Sequence, residues 1–285
     1  MAKLELKDWV GGSEEAADML LPERVVALAR ALDRPDDALV PGAALPALRH
    51  WLYFWNAVPR ARLGRDGHPA LGGFLPDVGR IWGSATRRMW AGSRLEFHHP
   101  LTIGAKVRRL STLESAVEKA GRSGRLVFVT VRHEIFENDA LALTDWHDIV
   151  YREEIPGAAL AQPEMAPTDQ QWEGRFTADP VLLFRYSALT YNGHRIHYDR
   201  DYAMQVEGYG GLVVHGPLLA TLLVDFAVGL QPGKMLRQFS FRGRRPVLDG
   251  GPFSLRAKAL GGDGLSLWIA DAEGALAMSA EARFG

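Results

Sequence analysis

At 285 residues and 47% hydrophobic content, the chain is long enough for one large domain or two ordinary ones, each with a real core. A formal net charge of -1 with interspersed acids and bases leaves no basic stripe for nucleic acid, and the absence of cysteine excludes disulfides and thiolate chemistry. The start MAKLELKDWV lacks the apolar core of a secretory signal, so cytoplasm is the expected compartment.

In chain order, the amphipathic stretch from Glu14 to Leu32 predicts a helix. A second helix is expected in PGAALPALRHWLYFWNAVP, where Leu48, Leu52, Phe54 and Trp55 recur at roughly helical spacing. From Arg94 to Glu154, long runs such as RLVFVTVRHEIF, separated by turn formers like Gly121-Arg122-Ser123-Gly124, predict an antiparallel sheet. Ile155 to Glu173 carries three prolines and little periodicity, which predicts a surface linker. A helical region from Asp199 to Leu230 is expected next, followed by strands near Arg237 to Val247, Phe253 to Leu260, Leu265 to Ala270 and Ala275 to Phe284. Within it, Gly211 to Leu230 has the length of a membrane span, but His215, Gly216, Pro217 and Asp225 interrupt it. A buried helix is the expectation, with no membrane partner.

Helices precede strands twice, and Phe97, Pro100 and Gly104 in EFHHPLTIG echo Phe241, Pro246 and Gly250 in FRGRRPVLDG. The expected fold is α+β, two tandem units that each lay a helix on an antiparallel sheet, as in a double hot dog pseudo-dimer. A Rossmann or barrel architecture would alternate strands and helices throughout. The units are expected at 1–155 and 174–285, joined by a linker at 156–173.

The chemistry is concentrated in RYSALTYNGHRIHYDRDYA, from Arg185, and GGLVVHGPLLATLLVDFA, from Gly210. Here the sequence resembles the MaoC-type, or R-specific, enoyl thioester hydratases, in which a Gly-Asp-x-Asn-Pro-x-His signature precedes a Val-His-Gly helix start. On that signature His197 matches the catalytic histidine, Asn192 the catalytic aspartate, and Gly216 the glycine whose amide binds the thioester carbonyl. Asn192 replaces an acid, His194 an asparagine and Arg195 a proline. The form Asn-Gly-His-Arg-Ile-His-Tyr-Asp is similar to a branch containing mitochondrial-type 3-hydroxyacyl thioester dehydratases and hydratases of mesaconyl-CoA and itaconyl-CoA type. LGRDGHPALGGFLPDVGRIWG and RMWAGSRLEF in the first half are similar to the same branch.

The resemblance implies a cofactor-free hydro-lyase acting on an acyl-CoA or acyl carrier protein thioester. Hydration beside a thioester needs a base for water, an acid for the adjacent carbon, and a donor for the enolate oxygen. Imidazole is substantially neutral at pH 7, so His197 can move protons. The Asn192 amide can only orient water. Gly216 has no Cβ, and Pro217 marks a first helical turn, where an amide suits an oxyanion. Arg195, Tyr198, His215, Arg242 and Arg245 are the expected substrate-binding residues; for the arginines the attraction is fork-like recognition of phosphate or carboxylate, against the plainer reading of a solvated strand edge.

His194, His197 and His215 invite a zinc reading, but no H-E-x-x-H motif is present, and none is adopted. A hot dog thioesterase and a non-catalytic acyl-thioester binding module remain as alternatives. Hydrolysis usually needs a carboxylate where Asn192 stands, which favours hydration. A short branched or dicarboxylic CoA ester is favoured over a straight-chain substrate because Arg195 and Arg185 would match a second carboxylate. One working site, in the second half, is expected, and a homodimer is compatible with it.

Overall fold

The computed structural model describes residues 5–69, 75–82, 86–121, 124–153 and 163–285. In chain order these contain β1 (Ser13–Met19), α1 (Pro22–Ala31), α2 (Val78–Trp82), β2 (Thr86–Phe97), β3 (Lys106–Gly121), β4 (Gly124–Glu137) and β5 (Ala140–Glu153). The second half follows with β6 (Trp172–Thr177), α3 (Pro180–Thr190), α4 (Gly216–Leu230), β7 (Leu236–Gly243), β8 (Pro252–Leu260), β9 (Gly264–Ala270) and β10 (Leu276–Phe284). The expected turn at 122–123 and the first part of the expected linker, through residue 162, lie outside the described residues, as do 70–74 and 83 of the first-half segment.

All ten strands form one sheet, in the order β1-β3-β4-β5-β2-β7-β10-β9-β8-β6. Outward from the central β2·β7 pair, the sequence of strands is the same on each side. The spacing that relates Phe97 to Phe241 also relates Leu95 to its own cross-strand partner Phe239, so a local two-fold axis passes through that pair. The rest of the echo is equally physical. Gly104 and Gly250 have φ of 90° and 83°, each two residues beyond an isolated bridge, Ala44 to Thr102 and Val213 to Leu248. A turn that needs left-handed backbone selects glycine in both places.

The halves differ in what covers the sheet. In the second half α4 packs against β7 to β10, and every residue from Leu218 to Val224 is buried. Each fully buried leucine there contributes about 1.5–3 kcal/mol. In the first half, the segment expected to form the second helix makes a single 3-10 turn at Arg49–Leu52. Leu48 and Phe54 bracket it with φ of 63° and 58°, so the helix expected from the spacing of Leu48, Leu52, Phe54 and Trp55 does not form. What the turn achieves is placement of Arg49, buried, against Asp225 of α4 through two hydrogen bonds of 2.9 and 2.7 Å. The charge that interrupts the apolar run of α4 therefore has a partner from the other half. Removing one member of such a pair costs about 3 kcal/mol.

The expected helix over Glu14 to Leu32 is also corrected. Its first part is strand β1, paired with β3, and only Pro22–Ala31 is helical. Leu21 precedes a proline, a position that disfavours helical backbone, and its ψ of 129° is extended. The region from Asp199 to Leu230 divides into a π-helical turn at Tyr202–Val206 and α4. α3, which the periodicity reading passed over, starts at Pro180, and the Asp179 side chain caps it by accepting from Leu182 N–H at 2.7 Å. No helix among the described residues is long and apolar enough to cross a membrane.

Candidate active site

The motif lies between α3 and α4. α3 ends at Tyr191 in left-handed conformation, and Asn192 opens a turn in which its Oδ1 accepts from His194 N–H at 3.0 Å. A 3-10 turn, Arg195–His197, carries the chain inward and buries His197. His197 Nδ1–H donates to the Val213 carbonyl at 2.7 Å, which leaves Nε2 as the acceptor nitrogen. Burial, only partly opposed by that bond, lowers its pKa to about 4, so the ring is neutral over the physiological range. His215 stacks on it, centroids 3.6 Å apart and planes 19° from parallel, and ties its own Nε2 to Ser187 Oγ at 2.9 Å.

Gly216 begins α4 directly after His215. A Cβ built on it would meet nothing within 4 Å, so space lies open in front of this residue at the positive end of a fifteen-residue helix. A helix-start amide beside such open space is suited to receive an anionic oxygen.

The expected substrate-binding residues have different surroundings. His215 is fully buried and stacks on His197. Arg195 is committed: its Nε and Nη2 donate to Asp199 Oδ2 at 3.0 and 2.8 Å, its Nη1 donates to Arg65 O, and its guanidinium lies over Tyr202. Tyr198 is exposed, with its hydroxyl donating to Gly193 O at 2.9 Å. Arg242 is exposed on β7, and Arg245 pairs with Asp271 at 3.1 Å. Arg185, expected beside the site, lies instead on the exposed side of α3, lining a groove with Arg30, Arg175 and Asp179.

Residues 64–68 of the first half pack against the motif, a contribution the motif alone did not disclose. Arg195 N–H donates to Asp66 O at 2.9 Å, and the His68 and His194 rings lie 4.2 Å apart. A Cβ on Gly67 would stand 2.0 Å from Gly193 O, and one on Gly193 would stand 2.8 Å from Gly67 O, so the two backbones touch only because both residues are glycine. His68 Nδ1 bonds to Asp66 Oδ2 at 3.2 Å. Burial works against ionisation of Asp66, but His68 outweighs it through its hydrogen bonds and charge and holds the carboxyl at about 2. His194, which burial and the neighbouring His68 and His197 lower to about 3, is neutral. The ligand-type atoms of Asp66, His68 and His194 lie within 4.8 Å of one another, and the Asp66–His68 hydrogen bond joins two members of this trio.

Residues 48–249 match the family described as hydroxyacyl-thioester dehydratase type 2. The chain is 42% identical over 288 residues, with full coverage of both, to a mesaconyl-C(4)-CoA hydratase of Chloroflexus aurantiacus. Among solved structures it superposes on a MaoC-like dehydratase from Phytophthora capsici with a TM-score of 0.74 at 13% identity, covering 99% of this chain and 98% of that one. A Mycobacterium tuberculosis protein described as a double hotdog fold gives a TM-score of 0.56 at 13% identity, covering 97% and 96%. The paired half-sheets are accordingly a double hot dog.

Proposed function

The chain belongs to the hydroxyacyl-thioester dehydratase type 2 family of hydro-lyases, and we propose that it reversibly hydrates a dicarboxylic or short branched enoyl-CoA of the mesaconyl type. The full-length relative at 42% identity, named for mesaconyl-C(4)-CoA, supports the acyl choice. A straight-chain 3-hydroxyacyl thioester is the second reading, favoured by the family description itself.

The observation that carries the mechanism is the fixed His197 ring, whose Nε2 is left to accept a proton. In this reading His197 takes the proton of the attacking water, and negative charge developing on the substrate raises the ring's proton affinity as the reaction proceeds. The Gly216 amide receives the thioester oxygen. Asn192 holds the water through its NH2 group, since its oxygen serves the turn. With Arg195 occupied by Asp199, Arg88 of β2, whose charge bears on His194, is the cation we assign to a distal carboxylate.

The same reading has one site per chain, with the base, the water-holding amide and the oxyanion donor from unit 174–285 and with unit 1–155 lining and supporting them, in a cytoplasmic protein. The test is a panel of enoyl-CoA esters with and without a distal carboxylate. Faster turnover of the dicarboxylic members, lost selectively in Arg88→Met, supports the proposal; preference for straight chains supports the second reading.

A further inference from the structure

A hydration site needs two proton-handling groups, and the motif supplies one, because Asn192 neither gains nor loses a proton near neutral pH. The missing acid has a structural counterpart in the first half. Asp66-Gly67-His68 and Asn192-Gly193-His194 form the same turn: His68 N–H donates to Asp66 Oδ1 at 3.1 Å, as His194 N–H donates to Asn192 Oδ1 at 3.0 Å. The two turns meet glycine to glycine, with their histidine rings adjacent. The first-half copy keeps a carboxylate where the second has an amide.

We propose that Asp66 and His68 are the second acid–base pair of this site, with His68 as the catalytic acid and Asp66 as its positioning residue. The inference rests on the hydro-lyase reading above. Asp66 Oδ2 takes the Nδ1 hydrogen of His68 and leaves Nε2–H for the substrate. Clamping by Arg195, which donates to the carbonyls of both Asp66 and Arg65, holds the loop in place. The ionised Asp66 is the counter-charge an imidazolium requires. The other groups facing the pair are His194 and His197 from the motif, Arg195 with Asp199, Arg65 and Tyr202 from the surrounding turns, and Arg88 from β2.

The steps balance. Water oxygen bonds to the β-carbon while His197 Nε2 accepts its proton; the π pair moves toward the thioester, and the α-carbon takes the proton of His68 Nε2. His197 is then protonated and His68 neutral. The proton returns through solvent or through His194, whose ring lies 5.4 Å from His197 and 4.2 Å from His68. Dehydration is the reverse.

The test is the pH profile of kcat for the unsubstituted enzyme, Asp66→Asn and His68→Gln on the best ester of the panel. A catalytic acid must hold its proton to act, so its loss appears as the alkaline limb of the profile. His68→Gln should lower kcat by about 100-fold or more and remove that limb. Asp66→Asn keeps the turn's acceptor oxygen, and by removing the counter-charge should move the limb to lower pH. Thermal melts report folding; if His68→Gln does not fold, Asp66→Asn decides alone. An unmoved alkaline limb in Asp66→Asn overturns the proposal, as does full turnover in a folded His68→Gln. Activity lost to a chelator and restored by zinc would make the cluster a metal site and overturn it too. No turnover by the unsubstituted enzyme on any ester would fell the parent reading, and this one with it; turnover with insensitive variants fells this one alone.

Discussion

His197 donates to the Val213 carbonyl across 2.7 Å, and Val213 stands three residues before the Gly216 start of α4. One short stretch of backbone therefore sets the tautomer of the base and the position of the amide at the helix start. Val213 is itself pinned by its bridge to Leu248. His197→Ala should lower kcat by about 100- to 10,000-fold while the fold persists. In the unsubstituted enzyme the base is lost only as pH falls through about 4, so the acid limb of kcat/KM should lie near there and well below the range of an ordinary histidine. Steady-state rates from pH 3.5 to 9 check both statements.

Asn192→Asp should retain measurable activity, because an aspartate oxygen can still accept from His194 N–H and keep the turn. The added negative charge favours the imidazolium form of His197, which moves the acid limb to higher pH. An acid limb identical to that of the unsubstituted enzyme would show that Asn192 lies too far from His197 to matter.

Gly216→Val separates folding from catalysis. The new side chain enters open space, so melting temperature should change little, while the blocked oxyanion position should lower kcat by about 100-fold. Near-normal turnover in the folded variant would remove Gly216 from the mechanism.

The second half of the fold was largely legible in the sequence, and the first half only in its sheet. Strands β7 to β10 fall within a residue or a few of the expected runs, because burial alternates along β8 and the end of β10 while β9 is a short, almost wholly buried apolar run between turn formers. The turn at Arg49–Leu52 misled because Leu48, Leu52 and Phe54 are all buried, as a helix face would be, yet left-handed backbone at Leu48 and Phe54 confines the helix to one turn. Periodicity sees burial and not the backbone torsion that ends an element. Of the candidate residues, Asn192, His197 and Gly216 were picked out by the sequence because one continuous segment carries them. Asp66 and His68 were not, since they come from a loop more than a hundred residues earlier; the signal that could have found them is the matching Asp-Gly-His and Asn-Gly-His. Arg195 reads from the sequence as a substrate ligand, and in the structure its guanidinium is engaged by Asp199.

Buried neutral histidines make stability depend on pH. His197 and His194 have folded-state values of about 4 and 3, and burial lowers His215 as well. The unfolded chain takes up these protons near pH 6.5 while the folded chain does not, so the stability they allow is fully present above that pH and is lost as pH falls toward 4. Each contributes up to about 1.4 kcal/mol per pH unit. Urea unfolding at pH 7 and pH 5 should show the loss, and His197→Ala should show less of it; an unchanged difference in the variant would mean that His197 is not the neutral buried group described here.

The most direct measurement follows enoyl absorbance and free thiol together while the purified protein acts on a mesaconyl-type CoA ester. For a hydro-lyase, absorbance falls to a hydration equilibrium with no thiol released, and His197→Ala abolishes the change. Thiol release at the rate of substrate loss would make the protein a thioesterase, and an unchanged signal with every ester of the panel would make it a binding module; either result would contradict the account.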